Sequence, residues 1–142
     1  METQYLHPTY EAGKDFVMQK YTGHIVMLNL LRFRDIADYS ETPDLAPDAP
    51  ISGKEAFKNY IRATLPFLIE SGGEIMFLGK SRHFLIGPPD ENWDAVMLIR
   101  QKNQHSFLAF QQNEAYMKIT GHRTAALSDS RLLPIEEEDY IF

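Results

Sequence analysis

Polar and aromatic side chains that could bind or transform a small molecule lie on or beside apolar segments of the chain. The candidate catalytic groups adjoin the third and fourth predicted strands, and they are Asp94, His122 and Arg123. The candidate substrate-binding groups lie on the first strand, on two helices and at the start of the third strand, and they are Asn29, Arg32, Tyr60, Trp93 and Tyr116. Together they predict a polar pocket in an otherwise apolar domain.

Each residue type suggests a role in that pocket. The planar guanidinium of Arg123 suits a carboxylate or a carbonyl group, and His122 can move a proton near neutral pH. Tyr60 and Tyr116 would form the walls. A purely structural alternative stays open, in which Asp94 pairs with an arginine and Asn29 hydrogen-bonds the backbone.

The segment 25–33 is a nearly continuous apolar run, which is typical of a strand buried on both faces. Asn29 and Arg32 interrupt it, and a buried amide or guanidinium needs a hydrogen-bond partner from the fold, from water or from a ligand. Their odd separation places them on opposite faces, so both can enter one pocket only if a bulge intervenes.

The sequence gives little sign of a cofactor. None of the five histidines forms an H-x-x-x-H pair, and Gly72-Gly73 is a lone pair rather than a phosphate-binding loop. His83 or His122 could ligate a haem, but a single histidine is weak evidence. We therefore expect neither a metal nor a cofactor.

Length, net charge and amino-acid composition limit which kinds of protein and partner the chain fits. The 142 residues suit one domain, spanning 1–142, and a net charge of −6 argues against a nucleic-acid partner. The chain has no cysteine, and its N-terminal residues resemble neither a signal peptide nor a membrane span. We expect a soluble, cytoplasmic protein without a membrane partner.

The elements that position these side chains follow from periodicity, caps and turn residues. They are a helix over 9–20 capped by Thr9, a strand over 25–33, a helix from the capping box of Ser52 and Glu55 that Gly72 and Gly73 end, strands over 74–80 (which could resume at 83–86) and 93–100, a helix over 103–112 capped by Asn103, a short helix over 114–119, and a strand over 124–133. The first helix is predicted to be a lid or a dimer arm. The acidic segment 35–50 is predicted to be a solvated loop or a flap with Tyr39 as its aromatic contact, and the tail after Glu136 to dock on a neighbouring surface.

After the first helix, the order is that of a ferredoxin-like βαββαβ fold, an α+β class with a four-stranded antiparallel sheet. Both helices of that pattern cover one face of the sheet. The first and third strands are apolar on both sides, so the other face needs a cover as well. A second copy of the chain, paired sheet to sheet, would supply it and give a homodimer.

Short motifs between residues 23 and 134 resemble the DUF1330 family, in the right order. They are the run 27–33, the segment 51–57, Ser71-Gly72-Gly73-Glu74, Ile86-Gly87-Pro88, Trp93-Asp94, Tyr116 and His122-Arg123. The resemblance implies a dimeric α/β barrel of unassigned activity. The wider group includes cofactor-free monooxygenases, isomerases and haem-dependent enzymes, whereas the N-terminal helix and the acidic loop are additions to the shorter members.

Two hypotheses follow. In the first, the protein is a small cofactor-free enzyme, resembling a monooxygenase or an isomerase, that acts on an aromatic or carbonyl compound. In the second, it is a non-catalytic homodimer that binds a small molecule or has a purely structural role. An elongated, partly apolar cavity with His122, Arg123 or Asp94 in its wall would favour the first.

Overall fold

The computed structural model describes residues 3–138. Its elements, in chain order, are α1 (Tyr10–Met18), β1 (Ile25–Phe33), a 3-10 turn (Pro43–Leu45), α2 (Gly53–Glu70), β2 (Glu74–Lys80), β3 (Ala95–Gln101), α3 (Gln104–Gln111), α4 (Glu114–Ile119), α5 (Gly121–Ala126) and β4 (Leu127–Glu136). The four strands form one antiparallel sheet in the order β2-β3-β1-β4. This order confirms the predicted ferredoxin-like fold.

The two faces of the sheet differ in burial. On β1, Ile25, Met27 and Leu31 are almost fully buried on the inner face, which the helices cover. The alternate residues Leu28 and Leu30 are only half-buried on the outer face. The strand is therefore apolar on both sides as predicted, but a single chain buries one side completely and the other in part.

The helix starts agree with the predicted caps. The hydroxyls of Thr9 and Ser52 and the side chain of Asn103 each accept a hydrogen bond from a backbone N–H of the first turn that follows. Helix α2 continues through Pro66 to Glu70. Gly72, at φ +84, then reverses the chain in a backbone conformation that glycine adopts most readily.

Two predicted segments differ from the structure. Residues 83–86 do not resume β2, since His83 makes only an isolated bridge with Asn92. The last strand begins at Leu127 rather than at residue 124, because the preceding residues form α5, whose small Ala125 and Ala126 are buried within the hydrophobic core. Pro134 lies within β4, where the edge of the sheet tolerates its missing N–H.

The acidic segment 35–50 is anchored rather than loose. Its carboxylates are exposed, but Tyr39 is only 8% exposed and belongs to the hydrophobic core. The Asp38 N–H donates to the Ala125 carbonyl at 2.9 Å, so the backbone is tied to α5 as well. Tyr39 thus acts as an anchor rather than as the contact of a flap. The predicted docking tail, with Tyr140, Ile141 and Phe142, lies outside the described residues.

Candidate binding cavity

A cavity of about 1160 Å³ lies between the inner face of the sheet and the helices. Alternate residues of the two central strands form its floor, namely Met27, Asn29, Met97, Ile99 and Gln101. Residues one helical turn apart on α2 line another wall, and they are Tyr60, Thr64 and Leu68. Phe107 and Phe110 of α3 add aromatic surface, so the cavity is largely apolar with a few polar groups.

The N-terminal segment 5–18 lines the cavity, and each residue of α1 keeps some exposure to solvent. One attachment is Gln104, whose Nε2 donates to the carbonyls of Phe16 (2.7 Å) and Gln19 (2.9 Å). The other attachment is at β4, where Ser130 Oγ donates to the Tyr5 carbonyl at 2.5 Å. The segment thus covers part of the cavity, and its action as a lid or a dimer arm stays a prediction.

Two buried tyrosines meet at one wall of the cavity. The hydroxyls of Tyr60 and Tyr116 are 2.6 Å apart, and either one can donate to the other. Burial raises the pKa of Tyr116 far above its ordinary value, and the neighbouring Tyr60 raises it further. The phenol therefore stays protonated at neutral pH and can act as a hydrogen-bond donor, not as a base.

Two buried polar atoms of cavity-lining residues have no hydrogen-bond partner within residues 3–138. They are Thr64 Oγ1 and Gln101 Oε1, whose residues are 7% and 1% exposed. The third such atom, Arg34 Nε, belongs to a residue that does not line the cavity. A buried polar group left unpaired is costly, and both atoms are almost inaccessible in this conformation, so their side chains would have to turn before a water or another molecule could reach them.

Sequence reasoning missed Thr64 and Gln101 as site residues, although their spacing carries a signal. Thr64 follows Tyr60 by one helical turn, and Gln101 lies two and four residues after Ile99 and Met97 on one face of β3. Both are polar positions within an apolar pattern.

Asn29 and Arg123 also line the cavity, which brings them together with Tyr60 and Tyr116 as predicted. The Asn29 amide donates to the Met27 and Met97 carbonyls at 3.2 and 3.4 Å. Arg123 donates to the Leu6 carbonyl at 2.8 Å and to Ser130 Oγ at 3.3 Å. The predicted alternative, a buried Asp94–Arg123 pair, is absent from the described residues.

His122 and Asp94 do not join this cavity, so the predicted convergence is wrong for both. His122 belongs to a helix, where successive side chains point about 100° apart, and it therefore diverges from Arg123. Its Nδ1 is 2.8 Å from the Tyr39 hydroxyl, and burial lowers its pKa. Asp94 is exposed, and its carboxylate accepts from the Phe33 N–H at 2.8 Å.

Arg32 and Trp93 were predicted to bind substrate in the same pocket, but they lie on the outer face of the sheet. The odd separation of Asn29 and Arg32 does place them on opposite faces. The Trp93 ring is contacted by the guanidinium groups of Arg32 and Arg131, at 5.0 and 4.9 Å from its centroid. Asp129 pairs with both arginines, at 3.8 and 2.8 Å. The members of this cluster pair with one another, and of the four only Arg131 also lines the cavity.

Neither of the histidines considered as haem ligands lines the cavity, since His83 is exposed and hydrogen-bonds Asn92. Within residues 3–138, no three His, Asp or Glu side chains come together as a metal site. The helices of the same described range are all too short or too polar to cross a membrane.

Two crystal structures of the RPA0582 protein resemble this chain over nearly its full length. Methylated RPA0582 is 30% identical, with 99% of this chain and 100% of that one covered and a TM-score of 0.87. RPA0582 from Rhodopseudomonas palustris, described as a protein of unknown function, is 31% identical, with 96% and 99% covered and a TM-score of 0.85.

A more distant structure, from Bacteroides fragilis, is described as a dimeric protein of unknown function with a ferredoxin-like fold. It is 16% identical, with 82% of this chain and 99% of that one covered and a TM-score of 0.48. No protein-family model and no curated protein matches the chain.

Proposed function

The chain belongs to the family of the Rhodopseudomonas palustris protein RPA0582, and we propose that it binds a small, largely apolar aromatic or carbonyl compound in the cavity. The observation that carries this proposal is the pair of unpartnered atoms, Thr64 Oγ1 and Gln101 Oε1, in residues that line an apolar space of about 1160 Å³. Most buried polar groups in a purely structural core are paired. A ligand with a hydrogen-bonding group would satisfy them.

Titration with the neutral fluorophore N-phenyl-1-naphthylamine tests this proposal. We expect saturable binding to the parent protein and at least about tenfold weaker binding to Thr64→Phe, whose ring would project from α2 into the cavity and narrow it. Leu65→Phe on the adjacent, more exposed position of α2 is the matched control and should bind as the parent does. A parent that does not bind, or a Thr64→Phe variant that binds equally well, would overturn the proposal.

A second candidate function is cofactor-free catalysis on the bound compound, resembling a monooxygenase or an isomerase. The observation that favours it is the hydrogen-bonded pair of Tyr60 and Tyr116, which lines the same cavity as Arg123. Protonated phenols and a guanidinium can stabilise negative charge that develops on a carbonyl or phenol oxygen. His122 and Asp94 have no part in this version, because they lie away from the cavity.

Infrared difference spectroscopy of bound carbonyl-labelled acetophenone tests this second candidate. Donation from the tyrosine pair would shift the carbonyl stretch to lower frequency in the parent, and Tyr116→Phe would remove most of that shift. Tyr21→Phe is the control, since Tyr21 is not among the residues that line the cavity. If the carbonyl stretch of the bound ketone has the same frequency as in an apolar solvent, the cavity binds the ketone without polarising its carbonyl group, and the catalytic proposal fails.

The outer face of the sheet supports a homodimer in which two sheets pack face to face. Leu28, Leu30 and Leu98 are half-buried there, and Phe77 and Leu133 are each 56% exposed. A contiguous apolar face of this kind is rarely left to water by a monomer. A second copy of the chain presents the same face and can cover it.

Membership of DUF1330 and a cytoplasmic location belong to the proposal as well. The order of the short motifs from Met27 to Arg123 supports the first, and the lack of cysteine is consistent with a reducing compartment.

A further inference from the structure

Building on the proposed binding function, we propose that the ligand is an organic anion whose acidic group, a carboxylate or a sulfonate, is bound by Arg123. The charges that line the cavity motivate this inference. The whole chain has a net charge of −6, yet the described cavity lining contains Lys14, Arg123 and Arg131 without a single Asp or Glu. An apolar cavity with such a charge balance favours anions over neutral or cationic molecules.

Arg123 is the cation best placed to bind the acidic group. Its two hydrogen bonds within the described residues go to neutral acceptors, the Leu6 carbonyl and Ser130 Oγ, which leaves part of its five-donor fork for a ligand. Arg131 differs, because Asp129 already neutralises it at 2.8 Å. Lys14 lies on the exposed helix α1.

The remaining lining restricts the class of anion. Met27, Met97 and Ile99 offer no polar atoms that could solvate a small hydrated ion such as phosphate. They suit a hydrocarbon body, and an acidic group at Arg123 can also accept from the Tyr60–Tyr116 pair in the same cavity. The ligand class that fits is therefore an aromatic or medium-chain carboxylate.

Two fluorescent probes of the same aromatic body test the charge requirement. 8-Anilinonaphthalene-1-sulfonate carries a sulfonate, which N-phenyl-1-naphthylamine lacks. We expect the anionic probe to bind the parent at least about tenfold more tightly, the size of one charge-assisted hydrogen bond. Arg123→Gln should remove this preference while leaving the affinity for the neutral probe unchanged.

Arg123→Lys should restore most of the preference, because it keeps the charge. Arg82→Gln, on an exposed position away from the cavity, should leave it intact. If Arg123→Gln does not fold, a salt titration of the parent replaces that experiment. Added salt should weaken binding of the anionic probe and leave binding of the neutral probe unchanged.

The outcomes separate this inference from the proposed function. Equal affinity for the two probes, with Thr64→Phe blocking both, would overturn the anion inference and leave the binding function standing. A preference that survives in Arg123→Gln, or that salt does not reduce, would remove Arg123 from the site. If neither probe binds the parent, both proposals fail together.

Discussion

The two sides of the sheet differ in whether their buried polar side chains have hydrogen-bond partners in the described chain. On the outer face, Asp129 is 3% exposed, and its Oδ1 accepts from Arg131 Nη1 and from the Tyr5 N–H at 2.8 Å each. On the inner face, Thr64 Oγ1 and Gln101 Oε1 are buried without a partner in the described chain. Both sets of groups are removed from water, but only one is satisfied by the protein itself.

This difference distinguishes buried polar groups that the fold itself pairs from buried polar groups that it leaves unpaired. A buried charge such as Asp129 has all of its described partners within the fold, and removing one partner would leave the others uncompensated. Buried polar groups that the fold leaves unpaired are destabilising, and the proposed ligand would supply the missing partners of Thr64 and Gln101. Arg32 and Trp93, which were predicted from the sequence to bind substrate, belong to the paired cluster around Asp129 on the outer face.

We expect the largest effect from a charge placed on the apolar outer face of the sheet, where the proposed dimer would form. Leu98→Lys places a charge between Leu28 and Phe77, which flank Leu98 in the sheet. A two-fold dimer would bury two such charges, so we expect a loss of about 4 kcal/mol or more in dimer stability and a monomer by sedimentation at micromolar concentration. Ile69→Lys, on the exposed side of α2, is the control and should stay dimeric. A parent that sediments as a monomer would contradict the proposed assembly.

The next largest effect should come from removing the carboxylate of Asp129, which pairs with Arg32 and Arg131 on the outer face. Asp129→Ala removes a carboxylate that bridges Arg32 and Arg131, and we expect it to lower the free energy of unfolding by about 3 kcal/mol in urea. Binding of N-phenyl-1-naphthylamine by the folded protein should change little, because Asp129 itself does not line the cavity, although its partners Tyr5 and Arg131 do. Asp90→Ala, at an exposed position nearby, should cost less than about 0.5 kcal/mol. Lost probe binding in folded Asp129→Ala would show that the two faces are coupled.

The smallest effect concerns His122 and pH. Burial lowers the pKa of His122 in the folded protein, so the unfolded chain binds a proton more readily as the pH falls through its ordinary value of about 6.5. The contribution to stability is therefore present above that pH and lost below it. We expect His122→Gln to show a shallower loss of thermal stability between neutral and mildly acidic pH than the parent, with His105→Gln as an exposed control. Parallel pH profiles for His122→Gln and the parent would contradict this.

Local patterns were enough to predict most of the fold. Each cap (Thr9, Ser52 or Asn103) and each apolar run (β1 or β3) involves residues only a few positions apart, so it can be recognised in the sequence directly. The same holds for the opposite faces of Asn29 and Arg32, which depend only on the period of a strand.

The site was harder to predict, because it depends on contacts between distant segments. A helix at 121–126 follows from the packing of Ala125 and Ala126 in the core, and this helix turns His122 away from Arg123. Local sequence does not reveal such tertiary preferences. Nor does it reveal that a polar residue such as Thr64 lacks a partner, since an absent partner is a property of the whole fold.

The most direct test of the central claim is the free energy of unfolding of Thr64→Val without ligand. Valine keeps the shape of threonine and removes the hydroxyl. If Thr64 Oγ1 is unpaired in the empty protein, the variant should be more stable by about 1 kcal/mol in urea. It should also bind N-phenyl-1-naphthylamine, whose amine can donate to that hydroxyl, more weakly than the parent. A loss of about 1 kcal/mol or more, with unchanged binding of the probe, would show that the hydroxyl serves the fold, and it would contradict the account.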